Sequence, residues 1–227
     1  MNRILVLTVI SLVLMVGCSK EPVNEKRLLE RGGLKFEVNT DKPFSGKTFV
    51  TYMSGQNKVE GNWKSGKKDG LWTYYSENGS KDSSGTYKDG KLDGLWTWWF
   101  ENGQKKDKGT YKDGKQVGLF TQWYENGQKK GEGKYKNGKE DGLQTDWYEN
   151  GLKQKEGTYK DGKDDGLFTE WYENGQKSFE GTFKDGKENG LQTDWYRNGE
   201  KKSEGTFKDG ELVKLIGMWN EDGSVKK

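Results

Sequence analysis

The sequence predicts an all-β protein built as an elongated solenoid of stacked antiparallel β-hairpins, and two observations carry this prediction. The first is a strict internal repeat, since glycines recur every 24 residues from Gly46 to Gly190 without an insertion. The second is composition, because 34 glycines, ten tryptophans and eleven tyrosines stand in a chain that is only 29% hydrophobic. This mixture indicates many short strands joined by glycine turns, whereas disordered chains are poor in aromatic residues.

Each repeat unit is predicted to be one β-hairpin. In the second unit the first strand is Leu71–Glu77, and the Asn78-Gly79 pair that follows is typical of a two-residue type I′ turn. The return strand is Ser80–Lys88, and Asp89–Gly94 forms the loop to the next hairpin. An isolated hairpin is marginally stable, so neighbouring units are expected to stack.

The domain boundaries follow from the repeat. Residues 1–18 are expected to be a lipoprotein signal peptide with a lipidated cysteine, 19–45 a tether with an N-terminal cap, and 46–213 seven units of 24 residues. Residues 214–227 form a partial eighth unit that is expected to cap the stack. Within the tether, Leu34–Val38 is expected to form one capping strand.

The N-terminal segment indicates export and lipid anchoring. Arg3 precedes the largely apolar run Ile4–Val16, which is too short to span a bilayer as a helix but is typical of a signal peptide. Gly17, Cys18 and Ser19 resemble the lipobox of bacterial lipoproteins and its sorting signal for the outer membrane. Cys18 is the one cysteine of the chain and therefore has no internal disulfide partner. The predicted location is the bacterial cell envelope, with lipidation at Cys18; an ordinary secretory signal is the alternative.

Side chains along a strand alternate between two faces, which sorts the aromatic residues into two rows. Leu95, Thr97 and Trp99 belong to a Leu-Thr-Trp row that hardly varies between units, so this row is predicted to be the packed core. The opposite row begins with Trp96 and Trp98 but carries glutamine and acidic residues in later units. We therefore predict that this variable row is exposed.

The variable row is the candidate binding face. Together with the adjacent Phe100, its predicted members are Trp72, Tyr74, Trp96, Trp98, Phe100, Phe120 and Phe168. Phe100 heads a column that continues as tyrosine in later units, and this column is expected to stack half-buried between hairpins with its hydroxyls outward. The alternative is that these aromatic side chains only pack on one another and stabilise the sheet.

The sequence leaves the register of the return strands open. A two-residue Asn78-Gly79 loop places Gly85 opposite Trp72 and Tyr87 on the variable side. A three-residue loop reverses that parity, because a slip of one residue moves every side chain to the other face.

The inventory of side chains argues against catalysis. The chain has no histidine and no Ser/His, Cys/His or zinc-type spacing, so we predict that it is not an enzyme, uses no cofactor and binds no metal. The acidic loop Lys160–Gly166 is better explained as a turn, since Lys163 occupies a position where a calcium loop needs an oxygen ligand. The 39 basic residues are interleaved with 36 acidic ones, which disfavours nucleic-acid binding.

The repeat unit, as in Gly70–Gly94, resembles the MORN-repeat variant of bacterial YwqK-type antitoxin-like proteins, and Arg31–Lys47 resembles the segment that precedes the first repeat there. The resemblance implies a scaffold that contacts proteins and, in some cases, membrane lipid. We therefore predict a membrane-anchored, non-enzymatic scaffold that binds a protein partner through the variable aromatic face. The alternatives are a module that binds cell-wall glycan or a cationic headgroup, and an antitoxin-like neutralising protein.

Overall fold

The computed structural model describes residues 21–226, which form 18 β-strands and one short 3-10 helix. Sixteen of the strands lie in a single sheet, and the other two pair as a separate hairpin. The prediction of an all-β stack of 24-residue hairpins is confirmed. Residues 1–20, which include Cys18 and Ser19, lie outside the described residues.

The elements are short and regular in length. They are β1 (Val23–Asn24), the 3-10 helix (Glu25–Arg27), β2 (Leu28–Arg31), β3 (Leu34–Glu37), β4 (Gly46–Thr51), β5 (Asn57–Lys64), β6 (Lys67–Tyr75), β7 (Lys81–Lys88), β8 (Lys91–Trp99), β9 (Lys105–Lys112), β10 (Lys115–Trp123), β11 (Lys129–Lys136), β12 (Lys139–Trp147), β13 (Lys153–Lys160), β14 (Lys163–Trp171), β15 (Lys177–Lys184), β16 (Lys187–Trp195), β17 (Lys201–Lys208) and β18 (Glu211–Met218).

The sheet is a meander in which strand order follows chain order. From β4 to β18 each strand pairs antiparallel with its sequence neighbours, and β1 pairs parallel with β4 at the N-terminal end. The predicted capping strand is confirmed as β3, which pairs with β2. Leu28 and Phe44 are buried there against Trp63 and Trp72, so the lead-in segment covers the first end of the sheet.

The Asn-Gly turns differ from the predicted type. Gly79 donates its backbone N–H to the Ser76 carbonyl (2.9 Å), and Gly79, not Asn78, has a positive φ, at 86°. This is a three-residue loop, a type I turn followed by a left-handed glycine. Positive φ at both central residues occurs instead at Asp89 (50°) and Gly90 (82°), which form the two-residue type I′ turn between β7 and β8. The prediction of a type I′ turn at Asn78-Gly79 is therefore wrong, and the Asp-Gly pair takes that role.

A β-bulge compensates for the extra residue of the three-residue loop, so the side chains of the return strand lie on the faces that a two-residue loop would give them. The pairing of β6 with β7 shifts between Tyr74 and Tyr75, and beyond that point Gly85 lies opposite Trp72. Tyr87 therefore shares a face with Trp72. We call this side the aromatic face, and the side that carries Leu71 the leucine face.

The aromatic face contains the buried rings, which reverses the prediction for Trp72, Trp96, Phe120 and Phe168. These four side chains are 1–8% exposed, whereas the leucines of the invariant row, such as Leu95 at 50%, are exposed. The cause is the glycine in each return strand, because a Cβ atom at Gly85 would overlap the indole ring of Trp96. The ring lies flat on glycine backbone and is buried without a second layer of protein.

The predicted Leu-Thr-Trp core is consequently wrong for most of its members. Only its threonines are buried in most units: Thr73, Thr121, Thr145, Thr169 and Thr193. Trp99 and its equivalents are half-buried, and lysines lie over several of these rings, as Lys129 Nζ does at 5.6 Å from the Trp147 centroid. Lys129 also pairs with Glu132 at 2.7 Å, and the equivalent Lys–Glu pair recurs in the three following units, so this part of the leucine face is nearly constant.

Hydrogen bonds join successive units at both ends of the strands, where the turns lie. At the Asn-Gly turns, Asn126 Oδ1 accepts the Gln128 N–H (2.9 Å) while its Nδ2 donates to the Glu149 carbonyl of the next unit (3.1 Å). Tyr124 belongs to the tyrosine column that follows Phe100, and it is half-buried, as predicted. Its hydroxyl does not point outward as predicted, because it donates to the Trp147 carbonyl of the next unit at 2.8 Å. At the opposite end of the strands, in the Asp-Gly turns, Gly90 donates its N–H to the Lys68 carbonyl at 2.8 Å.

Candidate binding face

Three columns of side chains run across the aromatic face, one residue per unit in each. The central column consists of Trp72, Trp96, Phe120, Gln144, Phe168 and Gln192. The column on the Asp-Gly side consists of Lys68, Leu92, Gln116, Glu140, Asp164 and Glu188. The column on the Asn-Gly side consists of Tyr74, Trp98, Gln122, Asp146, Glu170 and Asp194.

Aromatic rings of the return strands separate the members of the central column. The Tyr87 ring stands edge-on between Trp72 (5.9 Å) and Trp96 (5.2 Å), and Tyr111 lies 5.3 Å from Phe120. Edge-to-face pairs of this kind contribute about 0.5–1.5 kcal/mol each beyond their burial. The N-terminal half of the aromatic face is therefore a rigid structure.

The central column varies in residue type while keeping one role. Trp96 Nε1 donates to the Thr86 carbonyl at 2.9 Å, and Gln144 Nε2 donates to the Lys134 carbonyl, ten residues before it, at 2.8 Å. Each side chain covers the glycine of the preceding strand, and Trp72, Trp96 and Gln144 donate to the equivalent backbone carbonyl, whereas the buried Nε2 of Gln192 has no hydrogen-bond partner among the described residues. Variation at this column therefore reflects interchangeable ways to cover glycine.

The seven predicted site residues divide by accessibility. Trp72, Trp96, Phe120 and Phe168 are buried and support the face from below. Tyr74, Trp98 and Phe100 are half-buried and remain accessible. The accessible, variable part of the face thus lies in the two outer columns, of which the sequence-based selection included only Tyr74 and Trp98.

The hairpin of β6 and β7 holds a cation among three aromatic rings. Lys68 Nζ lies 4.1 Å from the Trp72 centroid, 5.0 Å from Tyr87 and 5.5 Å from Tyr74, and it donates to the Tyr74 hydroxyl at 2.9 Å. We call these rings the first cage. Burial raises the pKa of Tyr87 to about 12 and its hydrogen bond with Tyr74 adds to the shift, while the Lys68 charge opposes it. Lys68 was not among the site residues predicted from the sequence, although its even spacing from Trp72 places it on the same face.

The next unit repeats the rings of this cage without the lysine. Trp96, Trp98 and Tyr111 occupy the equivalent positions, and Leu92 stands where the first cage has Lys68. The Trp98 centroid lies 5.6 Å from that of Trp96 and 6.2 Å from that of Tyr111. We call this group the second cage.

The outer columns carry no carboxylate in the first three units of each column and only carboxylates in the next three. Lys68, Leu92 and Gln116 give way to Glu140, Asp164 and Glu188, and the opposite column changes in the same units to Asp146, Glu170 and Asp194. The pKa of Tyr159 is raised, first by burial and then by the neighbouring carboxylates Asp164 and Glu140. The C-terminal half of the aromatic face therefore alternates aromatic rings with carboxylates.

Residues 21–226 contain no cluster of three or more metal-ligating side chains. Within the same residues, no helix has the length and apolar character needed to cross a bilayer. Within the described residues, the feature that differs from one unit to the next is the set of side chains on the aromatic face.

A repeated sheet with one constant face and one variable face defines a repeat scaffold. The chain belongs to the MORN repeat variant family, whose model matches residues 68–89, 92–113, 116–137, 140–161, 164–185 and 188–209. MORN repeats are generally scaffolds that bind proteins or membranes, and proteins built from them are typically non-enzymatic. No curated protein matches this chain.

Proposed function

We propose that the chain is an envelope-anchored, non-enzymatic scaffold that binds a protein partner along its aromatic face. One observation carries the proposal: the two outer columns of that face differ from unit to unit, whereas the leucine face repeats the same Leu-Thr-Trp pattern. An asymmetric partner needs a surface without periodicity, because different parts of it meet different units. The aromatic face is the side that offers such a surface.

The charge of the face indicates the chemistry of the partner. Six carboxylates lie in the outer columns of three successive units: Glu140, Asp146, Asp164, Glu170, Glu188 and Asp194. Lys155 lies near this group, 3.9 Å from Glu170, which leaves an acidic excess. Complementary charge favours a basic segment of the partner and accelerates its association.

The glycan alternative is less favoured because sugars stack on open aromatic faces, while Trp72 and Trp96 lie flat on glycine and are 1% and 3% exposed. An antitoxin-like role is a special case of the proposed function, in which the bound protein is neutralised. Anchoring through Cys18, with the outer membrane as the location, remains part of the proposal and rests on the lipobox-like sequence.

Site-specific photo-crosslinking tests the face. A photoreactive amino acid replaces Gln122, which is exposed on the aromatic face, or Leu143, which is 51% exposed on the leucine face and serves as the matched control. In cells that express the full chain, we expect a discrete product from position 122 and none from position 143. The triple variant Asp146→Asn, Glu170→Gln, Asp194→Asn should reduce that product, as should high salt, because both weaken the charge attraction. A product from position 143 alone would place the partner on the leucine face and refute the proposal.

The anchor is tested separately. Cys18→Ser should move the protein from the membrane fraction to the soluble fraction while the circular dichroism of the sheet stays unchanged. If the variant remains in the membrane fraction at high salt, lipidation does not hold it there.

A further inference from the structure

The first cage shows what its ring arrangement binds. A single ammonium group, Lys68 Nζ, contacts Trp72, Tyr87 and Tyr74 within 5.5 Å of every ring centroid. Attraction between a cation and the faces of aromatic rings is strongest when the cation is partly removed from water. In this unit the chain supplies its own ligand.

The second cage has the rings and lacks the ligand. Leu92 is uncharged and its side chain is two atoms shorter than that of lysine, so it cannot place a cation over Trp96, Trp98 and Tyr111. Within residues 21–226, no lysine or arginine lies over any of these three rings; the neighbouring Lys106 lies instead over Phe100, at 5.7 Å. Trp96 is buried, so the rings of the second cage that a cation from another molecule can reach are the half-buried Trp98 and Tyr111.

A carboxylate borders the second cage. Asp107 lies opposite Trp98 on the adjacent strand, and its negative charge contributes to a raised pKa of Tyr111, after burial as the main cause. Gln122 Nε2 donates to Asp107 Oδ1 at 2.8 Å, which fixes the position of the carboxylate. A cation with N–H groups can hydrogen-bond to this carboxylate while it contacts the rings, whereas a quaternary ammonium group cannot.

We propose that the accessible rings of the second cage, Trp98 and Tyr111, with Trp96 buried beneath them and Asp107 at their border, bind a lysine or arginine side chain of the protein partner. This inference rests on the proposed function and adds a specific contact to it. A phosphocholine headgroup is the less suitable source of the cation, because its phosphate would be repelled by Asp107 and by the carboxylates further along the face.

The experiment uses the purified full-length chain and a fluorescent lysine octapeptide. Leu92→Lys should fill the second cage from within, as Lys68 fills the first, and weaken peptide binding about tenfold, since losing one buried cation–π contact with its hydrogen bond amounts to a factor of this order. Leu95→Lys is the matched control, because it makes the same substitution on the same strand but places the charge on the leucine face, where Leu95 is 50% exposed. We expect the control to weaken binding less than threefold.

Three further variants separate contact from folding. Trp98→Gln should weaken binding as Leu92→Lys does, whereas Tyr74→Gln should weaken it less, since Lys68 already occupies the first cage. Lys68→Leu should open the first cage and increase the number of peptides bound at saturation. Melting temperatures within a few degrees of wild type are expected for all of these variants, because none alters the buried central column.

The possible outcomes are distinct. Equal weakening by Leu92→Lys and Leu95→Lys would show that charge alone acts and would overturn the cage, while the proposed face would stand if the triple acidic variant still reduces binding. Failure of the peptide to bind at low salt would overturn both proposals. If tetramethylammonium or phosphatidylcholine vesicles compete with the peptide more strongly than lysine methyl ester does, the cation comes from a headgroup and the assignment to a protein side chain is wrong.

Discussion

The glycines beneath the central column provide a quantitative test of how the sheet is held together. Gly85 and Gly133 occupy the same position in two units, and neither has a positive φ that would strain an alanine. At Gly85 an added Cβ would overlap the rigid, buried indole ring of Trp96, whereas at Gly133 it would meet only the far end of the flexible Gln144 side chain.

The expected cost of Gly85→Ala can be worked out from three contributions. Overpacking costs roughly 1–3 kcal/mol, and displacing the indole loses its 2.9 Å hydrogen bond to the Thr86 carbonyl, worth about 0.5–1.5 kcal/mol. Replacing glycine by alanine returns about 0.4–1 kcal/mol by restricting the unfolded chain. The net destabilisation is about 2 kcal/mol. For Gly133→Ala the lost glutamine hydrogen bond and the entropic gain nearly cancel, so the change is about zero.

Urea unfolding, with hydrogen exchange in β7–β9 as a local measure, distinguishes the two variants. In the double variant Gly85→Ala, Trp96→Gln the alanine should cost little, because glutamine can move aside as Gln144 does. The resulting coupling energy between the two positions is expected to be about 1–3 kcal/mol. Equal destabilisation by Gly85→Ala and Gly133→Ala would refute the idea that the ring lies on the glycine.

Asn126→Asp keeps the oxygen that stabilises its own turn but loses the Nδ2 donor to the Glu149 carbonyl, so urea unfolding should show a destabilisation of about 1 kcal/mol. Asn78→Asp is the control and should cost less, because the hydrogen bonds of the Asn78 side chain stay within its own turn. Burial raises the pKa of Tyr87 to about 12, so its contribution to stability is complete below pH 10 and is lost between pH 10 and about 12. The melting temperature should fall across that interval, and Tyr87→Phe should fall less; an identical decline in both would show that other groups dominate. Deletion of one repeat, Gly118 to Asp141, should leave a folded protein with two strands fewer than the sixteen of the sheet, and circular dichroism should retain its β-sheet form.

The sequence predicted the architecture because the period and the turn residues are local properties. The 24-residue repeat, the strands and the stacking of hairpins all follow from the spacing of glycines. The capping strand in the lead-in segment was also predicted. These features need no knowledge of which face is covered.

The faces were assigned backwards because variability was taken as a sign of exposure. Variability indicates exposure where a second layer of protein packs on the sheet. Here no second layer is needed, because each central side chain is buried by lying on a glycine of its own sheet. Trp96 and Gln144 are equivalent in that role, so the position varies while it stays covered. Conversely, Leu95 is constant between units and yet half-exposed. The alternation of side chains along one strand separates the two faces but does not show which face is buried.

The turns were misassigned for a different physical reason. Asn-Gly favours positive φ at both positions in isolation, but Asn126 has a second use here, since its side chain bridges to the next unit. The compensating bulge at Tyr74 and Tyr75 could not be foreseen either, because it becomes visible only in the pairing of both strands. The first cage escaped notice since it combines residues from different strands.

The meander has a consequence for how the chain reaches its folded state. Every strand from β5 to β17 pairs with the strands immediately before and after it in the chain, so no pairing there waits for a distant segment. Chains with such local pairing close short loops and fold quickly for β proteins. A growing chain can therefore add one hairpin at a time to the last strand already formed, and a gene that gains or loses one repeat still encodes a sheet whose strands can pair.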